Sequence, residues 1–154
     1  MKIFSFYKIE RIKNLKSLKI KIIKEIQKKN IKGLVILSKE GINATIAGNS
    51  KDISNIVKYI KLILNIKKFD IENITYSSFI PFLKAKVKIK NEVVPMDYNF
   101  SFKNKITKNY LSPKKWDNLL SQKNVKIVDA RKPFEYEVGT FKGAINPNTY
   151  NFRE

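Results

Sequence analysis

The chain of 154 residues contains no cysteine and no histidine. These residues can therefore form no disulfide, thiolate nucleophile, zinc finger or imidazole acid–base pair. Aspartate and glutamate together number only 13, and they do not cluster at metal-ligand spacing. The sequence thus predicts no metal site, carries no readable cofactor motif, and nominates no catalytic residue within these positions.

Long apolar runs are absent as well, because charged residues interrupt every candidate for a membrane span. The first residues, MKIFSFYKIERIK, include no long apolar segment and no small-residue cleavage site, so they are read as mature sequence. Hydrophobic residues make up 43% of the chain, which is enough for a packed core. We expect a cytoplasmic protein without a membrane partner.

Positive charge is abundant: 32 lysines and arginines against 13 acids give a formal net charge of +19. Such an excess favours a polyanionic partner, most simply RNA. Lysine supplies nearly all of it, since arginine occurs only at positions 11, 131 and 153, and isoleucine and asparagine are also frequent. An A·T-rich coding sequence produces the same pattern, so compositional drift remains an equal explanation.

The apolar pattern of residues 1–96 predicts one α+β domain. Period-two or short apolar runs indicate strands within residues 3–9, 34–37, 42–47 and 69–79. Apolar positions at helical spacing predict one helix that is capped by Asn14 and ends before Gly33, and another that is capped by Asn49 or Ser50. The order βαββαβ is the ferredoxin-like arrangement.

A fifth strand follows Pro81, where Leu83, Ala85, Val87 and Ile89 alternate with lysines. The alternation is typical of an antiparallel strand with one buried face and one solvated face. The lysines on the solvated face can follow a phosphate backbone, or they can simply keep the sheet in water. The candidate RNA contacts in this row are Lys84, Lys86 and Lys88.

Residues 97–109 are polar and aromatic without helical periodicity, and we interpret them as a linker. Residues 110–154 then begin a second domain. Ser112 and Pro113 have the chemistry of a helix start, and residues 125–128 form a short apolar strand that ends at Asp129. A further short helix is predicted from Pro133 to Gly139.

Two stretches carry a resemblance to a known family. Residues 38–45, SKEGINAT, are similar to the E-G-I-N-G-T hairpin of the bacterial tRNA uridine hydroxylases that have a rhodanese domain, with Ala44 in place of a glycine. The candidate substrate-binding residues of this hairpin are Lys39, Glu40, Gly41 and Asn43. Gly41 can adopt positive φ, and the Asn43 side chain offers a hydrogen-bond donor and an acceptor. An ordinary hairpin turn accounts for the same residues without any role in binding.

The second stretch, residues 128–147, resembles the opening of a rhodanese domain: a strand ends in Asp-x-Arg, and Gly-x-x-x-Gly-Ala follows. We interpret its marked positions as structural: Asp129, Arg131, Glu135, Gly139 and Gly143. Asp129 and Arg131 are expected to bind each other or the backbone, and the glycines to end a helix and form a turn. The alternative is a functional carboxylate at a strand end.

The resemblance covers essentially the whole chain and matches the front portion of that family. It implies oxygen-dependent 5-hydroxylation of the wobble uridine, tRNA as the partner and molecular oxygen as a co-substrate. The family's reactive cysteine would lie beyond Glu154, so this chain alone is expected to be inactive. A rhodanese sulfurtransferase and a non-catalytic RNA- or protein-binding remnant remain as alternatives, and the sequence does not separate a fragment from a shortened gene product.

Less than half of an α/β domain fits into residues 110–154, so its strand would lack neighbours and leave apolar surface exposed. We therefore expect this segment to pack incompletely or to be mobile. Amide hydrogen exchange should be faster there than in residues 1–96. Equally slow exchange in both segments would contradict this expectation.

Overall fold

The computed structural model describes residues 1–93 and 111–150, and these fall into two compact units, one for each range. The predicted linker, residues 97–109, lies outside the described residues. Within the described part of the chain, no helix is both long and apolar enough to cross a membrane.

The first unit is a five-stranded sheet with two helices. Its strands are β1 (Lys2–Ile9), β2 (Lys32–Ser38), β3 (Gly41–Gly48), β4 (Ile71–Tyr76) and β5 (Ala85–Ile89), and its helices are α1 (Leu15–Lys28) and α2 (Ser50–Ile63). The strand order is β4-β1-β3-β2-β5, and the first four strands pair antiparallel. The predicted α+β ferredoxin-like fold is confirmed, with one additional edge strand.

The core forms where the apolar stripes of the two helices meet the sheet. The stripe of α1 buries Leu18, Ile22 and Ile26, and that of α2 buries Ile53, Ile56 and Ile60. They pack with strand residues that alternate along one sheet face, among them Phe4, Phe6, Val35, Leu37, Ile42 and Ile46. Each fully buried side chain of this size contributes about 1.5–3 kcal/mol to the stability of the fold. Burial of the two helix stripes against the sheet face is therefore the main source of the first unit's stability.

Strand β5 differs from the sequence prediction in direction. It pairs parallel to β2, with Val35 opposite Val87, rather than antiparallel. Val87 is buried as expected, but Leu83 lies before the strand and is 95% exposed. Alternation of apolar and polar residues shows which face of a strand is buried, but it does not show which strand is its neighbour. The parallel direction of β5 therefore could not be predicted from the pattern.

Two local predictions for α1 were also wrong. Asn14 stands at the N-cap, but it has a left-handed backbone (φ 56°) and its side chain makes no capping hydrogen bond. By contrast, Asn49 caps α2, since its Oδ1 accepts a hydrogen bond from Lys51 N at 2.9 Å. Gly33 does not end α1; it lies inside β2 with φ +130°, where a Cβ atom would stand 2.2 Å from the backbone oxygen of Thr45.

The second unit is small and open. It contains α3 (Pro113–Leu120), α4 (Pro133–Val138) and a parallel bridge between Val128 and Ile145. Ser112 Oγ accepts a hydrogen bond from Lys115 N, so the predicted start of α3 is confirmed. Ala144 is the one buried hydrophobic side chain among residues 111–150, whereas Phe134 and Val138 are 62% and 88% exposed. The described residues of this unit therefore leave large apolar side chains exposed, and the assignment to a truncated rhodanese-like domain stays a prediction.

Gly33 provides a direct test of the sheet geometry. Gly33→Ala should destabilise the first unit by about 3 kcal/mol, because the new methyl group meets the β3 backbone and the residue holds a positive φ. Gly48→Ala is the matched control, since the nearest atom to its methyl group is a side-chain carbon of Ile31 at 3.2 Å, and it should cost less than about 1 kcal/mol. Urea unfolding followed by far-UV circular dichroism measures both; equal losses would contradict the assigned register.

Candidate functional site

The tip of the β2–β3 hairpin is held by a side-chain hydrogen bond and by the close approach of the β1 backbone. Ser38 is fully buried, and its Oγ accepts a hydrogen bond from Glu40 N at 3.1 Å. Gly41 pairs with Ile9 of β1, and a Cβ atom at this position would lie 2.2 Å from the backbone oxygen of Lys8. A glycine is therefore required at this position because β1 passes so close to the turn.

Glu40 has a partner within the protein. Its Oε1 accepts a hydrogen bond from the backbone N–H of Val93 at 2.6 Å, across 53 positions of sequence. Val93 is buried, so the carboxylate fixes the end of the first described range against the hairpin. Glu40 was predicted from the sequence to bind substrate, and this hydrogen bond occupies one of its two carboxylate oxygens.

The hairpin tip also holds the loop that joins β1 to α1. Glu10 N donates to the backbone oxygen of Glu40, and Ile12 N donates to that of Lys39, each at 3.0 Å. Ile12 is buried, which anchors the loop from its other side. The loop therefore has a defined path, and it carries Arg11 on the exposed side.

The remaining hairpin candidates point in different directions. Lys39 is exposed at the tip. Asn43 alternates with the buried Ile42 and Ala44, so it lies on the sheet face away from the helices, where it is half-buried and pairs with Tyr7. Lys39, Glu40, Gly41 and Asn43 thus do not converge on one small pocket.

The lysine row lies along one edge of the sheet. Because β5 is the last strand in the order, its outer edge carries Lys86 and Lys88, with Lys84 just before it, and all three are exposed. No ion pair among the described residues involves them. Lysines two residues apart on a strand lie on one side of it about 6.7 Å apart, so the row presents a line of cations.

In the second unit, Asp129 and Arg131 form a bidentate ion pair. Arg131 Nε lies 2.9 Å from Asp129 Oδ1, and its Nη2 lies 2.5 Å from Oδ2. Arg131 Nη2 also donates to the backbone oxygen of Gly139 at 2.7 Å, and Thr140 Oγ1 donates to Asp129 Oδ2 at 2.8 Å. The ion pair therefore connects the residues beside the Val128–Ile145 bridge to the end of α4. The Asp129 side chain is only 10% exposed.

The charge state of Asp129 follows from these contacts. The hydrogen bonds from Arg131 hold the pKa of the Asp129 carboxyl well below its usual range; partial desolvation opposes them and the Thr140 hydroxyl adds to them. The carboxylate in turn raises the pKa of Arg131. Asp129 is therefore a fixed anion at neutral pH and not a proton donor.

The other marked positions of this stretch make local contacts. Glu135 Oε2 accepts from Lys132 N at 3.3 Å at the start of α4, Gly139 follows the last turn of α4, and Gly143 has φ +78°. Asn146 was not singled out from the sequence, yet its Nδ2 donates to the backbone oxygens of Asp129 and Arg131, both at 2.8 Å. The one sequence feature that could have identified Asn146 is its position directly after Gly-Ala-Ile.

An open cleft of about 620 Å³ adjoins the ion pair. Its walls are largely apolar: the rings of Trp116 and Phe141 meet edge to face with centroids 5.7 Å apart, and Ile127 lies beside them. The charged groups in it, Asp129 and Arg131, are already bound to each other. No group of three or more His, Cys, Asp or Glu side chains that could hold a metal occurs in residues 1–93 or 111–150.

The UPF0176 acylphosphatase like domain family matches residues 1–93. The chain belongs to this family. The matched residues coincide with the sheet, the two helices and the hairpin described above. The sequence resemblance, which was read from the hairpin and the Asp-x-Arg stretch, is confirmed.

Curated relatives extend the match through the second unit. Three of them carry the name tRNA uridine(34) hydroxylase. The protein from Pelagibacter ubique is 51% identical over 152 residues, which is 99% of this chain and 50% of that protein. Those from Legionella pneumophila and Rickettsia bellii are 38% and 36% identical over 152 residues, again 99% of this chain and 59% and 61% of theirs. The chain thus spans about half to three-fifths of the length of these relatives.

The Asp129–Arg131 ion pair predicts how the stability of the second unit depends on pH. A carboxylate with a lowered pKa stabilises the folded segment at pH values above its ordinary pKa of about 4, and this stabilisation is lost as the pH falls below that value. Arg131→Gln should raise the pKa of Asp129 toward the ordinary value, and Lys132→Gln should leave it unchanged. The carboxyl ¹³C chemical shift of Asp129 followed from pH 7 to pH 2 reports both; an unshifted titration in Arg131→Gln would contradict the assigned pair.

Proposed function

We propose that this chain is the tRNA-binding portion of a tRNA uridine 5-hydroxylase. The observation that carries the proposal is the 51% identity over 152 residues to a protein named tRNA uridine(34) hydroxylase. The 152 matched residues span 99% of the chain and therefore reach into both units. A match of this extent favours a shared activity over a shared fold alone.

The proposed reaction replaces the C5–H bond of uridine 34 with C5–OH and uses molecular oxygen. Insertion of one oxygen atom leaves the other to be reduced to water, which requires two electrons from a reductant outside these residues. Because the 154 residues contain no cysteine, the reactive thiol expected for the family is not supplied by them. The role of this chain is then to bind and position tRNA, in the cytoplasm where tRNA is modified.

The charge distribution supports a role in binding tRNA. The chain carries a net charge of +19, and the exposed lysines Lys84, Lys86 and Lys88 line one sheet edge. Lys39 adds a cation at the hairpin tip. Lysines that meet RNA phosphates release counterions, which provides affinity without sequence preference.

The two alternative functions predict different products. A rhodanese sulfurtransferase would form a persulfide, and the names of the three curated relatives favour the hydroxylase over it. A binding module without catalysis would hold tRNA and leave its nucleosides unchanged. The modification state of tRNA therefore separates the three functions.

The direct test is a deletion of the gene that contains this sequence. The fraction of 5-oxygenated uridine at position 34, measured by mass spectrometry of digested tRNA, should fall sharply and return on complementation with the intact gene. An unchanged fraction would reject the hydroxylase proposal. Persulfide formation on the purified product of the intact gene, together with unchanged tRNA, would favour the sulfurtransferase.

The lysine row is tested by charge removal. Lys84→Ala, Lys86→Ala and Lys88→Ala combined should weaken tRNA binding by at least tenfold and reduce the slope of log affinity against log salt by about 2. The matched control combines Lys19→Ala, Lys51→Ala and Lys58→Ala, three exposed helix lysines, and should change affinity less than threefold. Equal effects of the two triple variants would show that only the total charge matters.

A further inference from the structure

A second basic feature lies at the end of the first unit where the hairpin tip meets the β1–α1 loop. The cleft here has a volume of about 350 Å³ and lies between the first turns of α1 and the end of α2. Its floor is apolar, formed by Ile12, Leu18, Ile63 and Leu64. We call it the α1–α2 cleft.

Among residues 1–93 and 111–150, the groups on the rim of the α1–α2 cleft are positive or neutral. Arg11 and Lys13 come from the loop, Lys21 comes from α1, and none of the described residues that line the cleft is acidic. A concave site with apolar walls and charges of one sign focuses its field, so three cations here attract an anion more strongly than three lysines on a convex surface. This arrangement distinguishes the cleft from exposed helix lysines such as Lys19, Lys51 and Lys58.

Further features of the cleft suit an anion. The side chains of Asn14 and Ser17 line it, and α1 starts at Leu15 without an acidic residue in its first turn. The hydrogen bonds that Glu10 N and Ile12 N donate to carbonyl oxygens of the hairpin tip fix the loop on either side of Arg11. A fixed loop presents its cation at a lower entropic cost than a flexible one.

We propose that the α1–α2 cleft binds a phosphate group of the tRNA backbone, and that the hairpin of residues 38–43 serves to hold the loop that forms its rim. This proposal rests on the proposed tRNA function. A volume of about 350 Å³ lies within the range of roughly 300–1,000 Å³ for small-ligand sites, so a nucleotide-sized part of the backbone fits. The role that we propose for the cleft is binding of the phosphate and not chemistry on it.

The mutational test compares two variants of the 154-residue chain that each lose three positive charges. The cleft variant is Arg11→Gln, Lys13→Gln and Lys21→Gln, and the control is Lys19→Gln, Lys51→Gln and Lys58→Gln. We expect the cleft variant to weaken tRNA binding at least tenfold and to lower the salt slope by about 1, with less than a threefold change in the control. Unchanged far-UV circular dichroism and thermal midpoint verify that the cleft variant is folded.

A titration with inorganic phosphate at constant ionic strength tests the same cleft without tRNA. Amide resonances of residues 11–21 should shift in the unmutated chain and not in the cleft variant. If these shifts occur while tRNA does not bind, the tRNA function fails and the cleft remains a site for free phosphate. Equal losses of tRNA affinity in both variants, or phosphate-induced shifts spread over lysines throughout the chain, would overturn the proposal.

Discussion

The backbone of the β2–β3 turn is the constraint on which one whole end of the first unit depends. The carbonyl oxygens of Lys39 and Glu40 bind the β1–α1 loop, and Gly41 allows β1 to pass within contact distance. The Glu40 carboxylate binds Val93 and so fixes the last described residue of this unit. A turn that joins three segments distant in sequence tolerates few substitutions.

This geometry changes the meaning of the hairpin motif. The sequence of the hairpin suggests a loop that faces the substrate. In the structure, however, the hairpin tip binds the β1–α1 loop, which carries Arg11 and Lys13 at the α1–α2 cleft. Compositional drift toward lysine predicts cations wherever the surface is solvated. Our proposals instead assign tRNA binding to two places, the α1–α2 cleft with Arg11, Lys13 and Lys21 and the lysine edge of β5.

Much of the fold could be read from local periodicity, since the stripes of α1 and α2 and the alternation of β1 to β3 each repeat at the spacing of their own element. The Asp129–Arg131 pair was also predictable, because its partners are two residues apart. The parallel pairing of β5 and the bond between Glu40 and Val93 were not, since both join segments about 50 residues apart that no local pattern links. The α1–α2 cleft likewise needs the tertiary arrangement of two helices and a loop.

Lysine footprinting tests the central claim, that the charge of this chain is arranged for tRNA. Purified chain is acetylated with and without tRNA, and the modification of each lysine is measured by mass spectrometry. The account predicts that tRNA protects Lys13 and Lys21 at the cleft and the three lysines of the β5 edge, Lys84, Lys86 and Lys88, while Lys19, Lys51 and Lys58 stay reactive. Uniform protection of all exposed lysines, or none, would show instead that the charge has no organised role in binding.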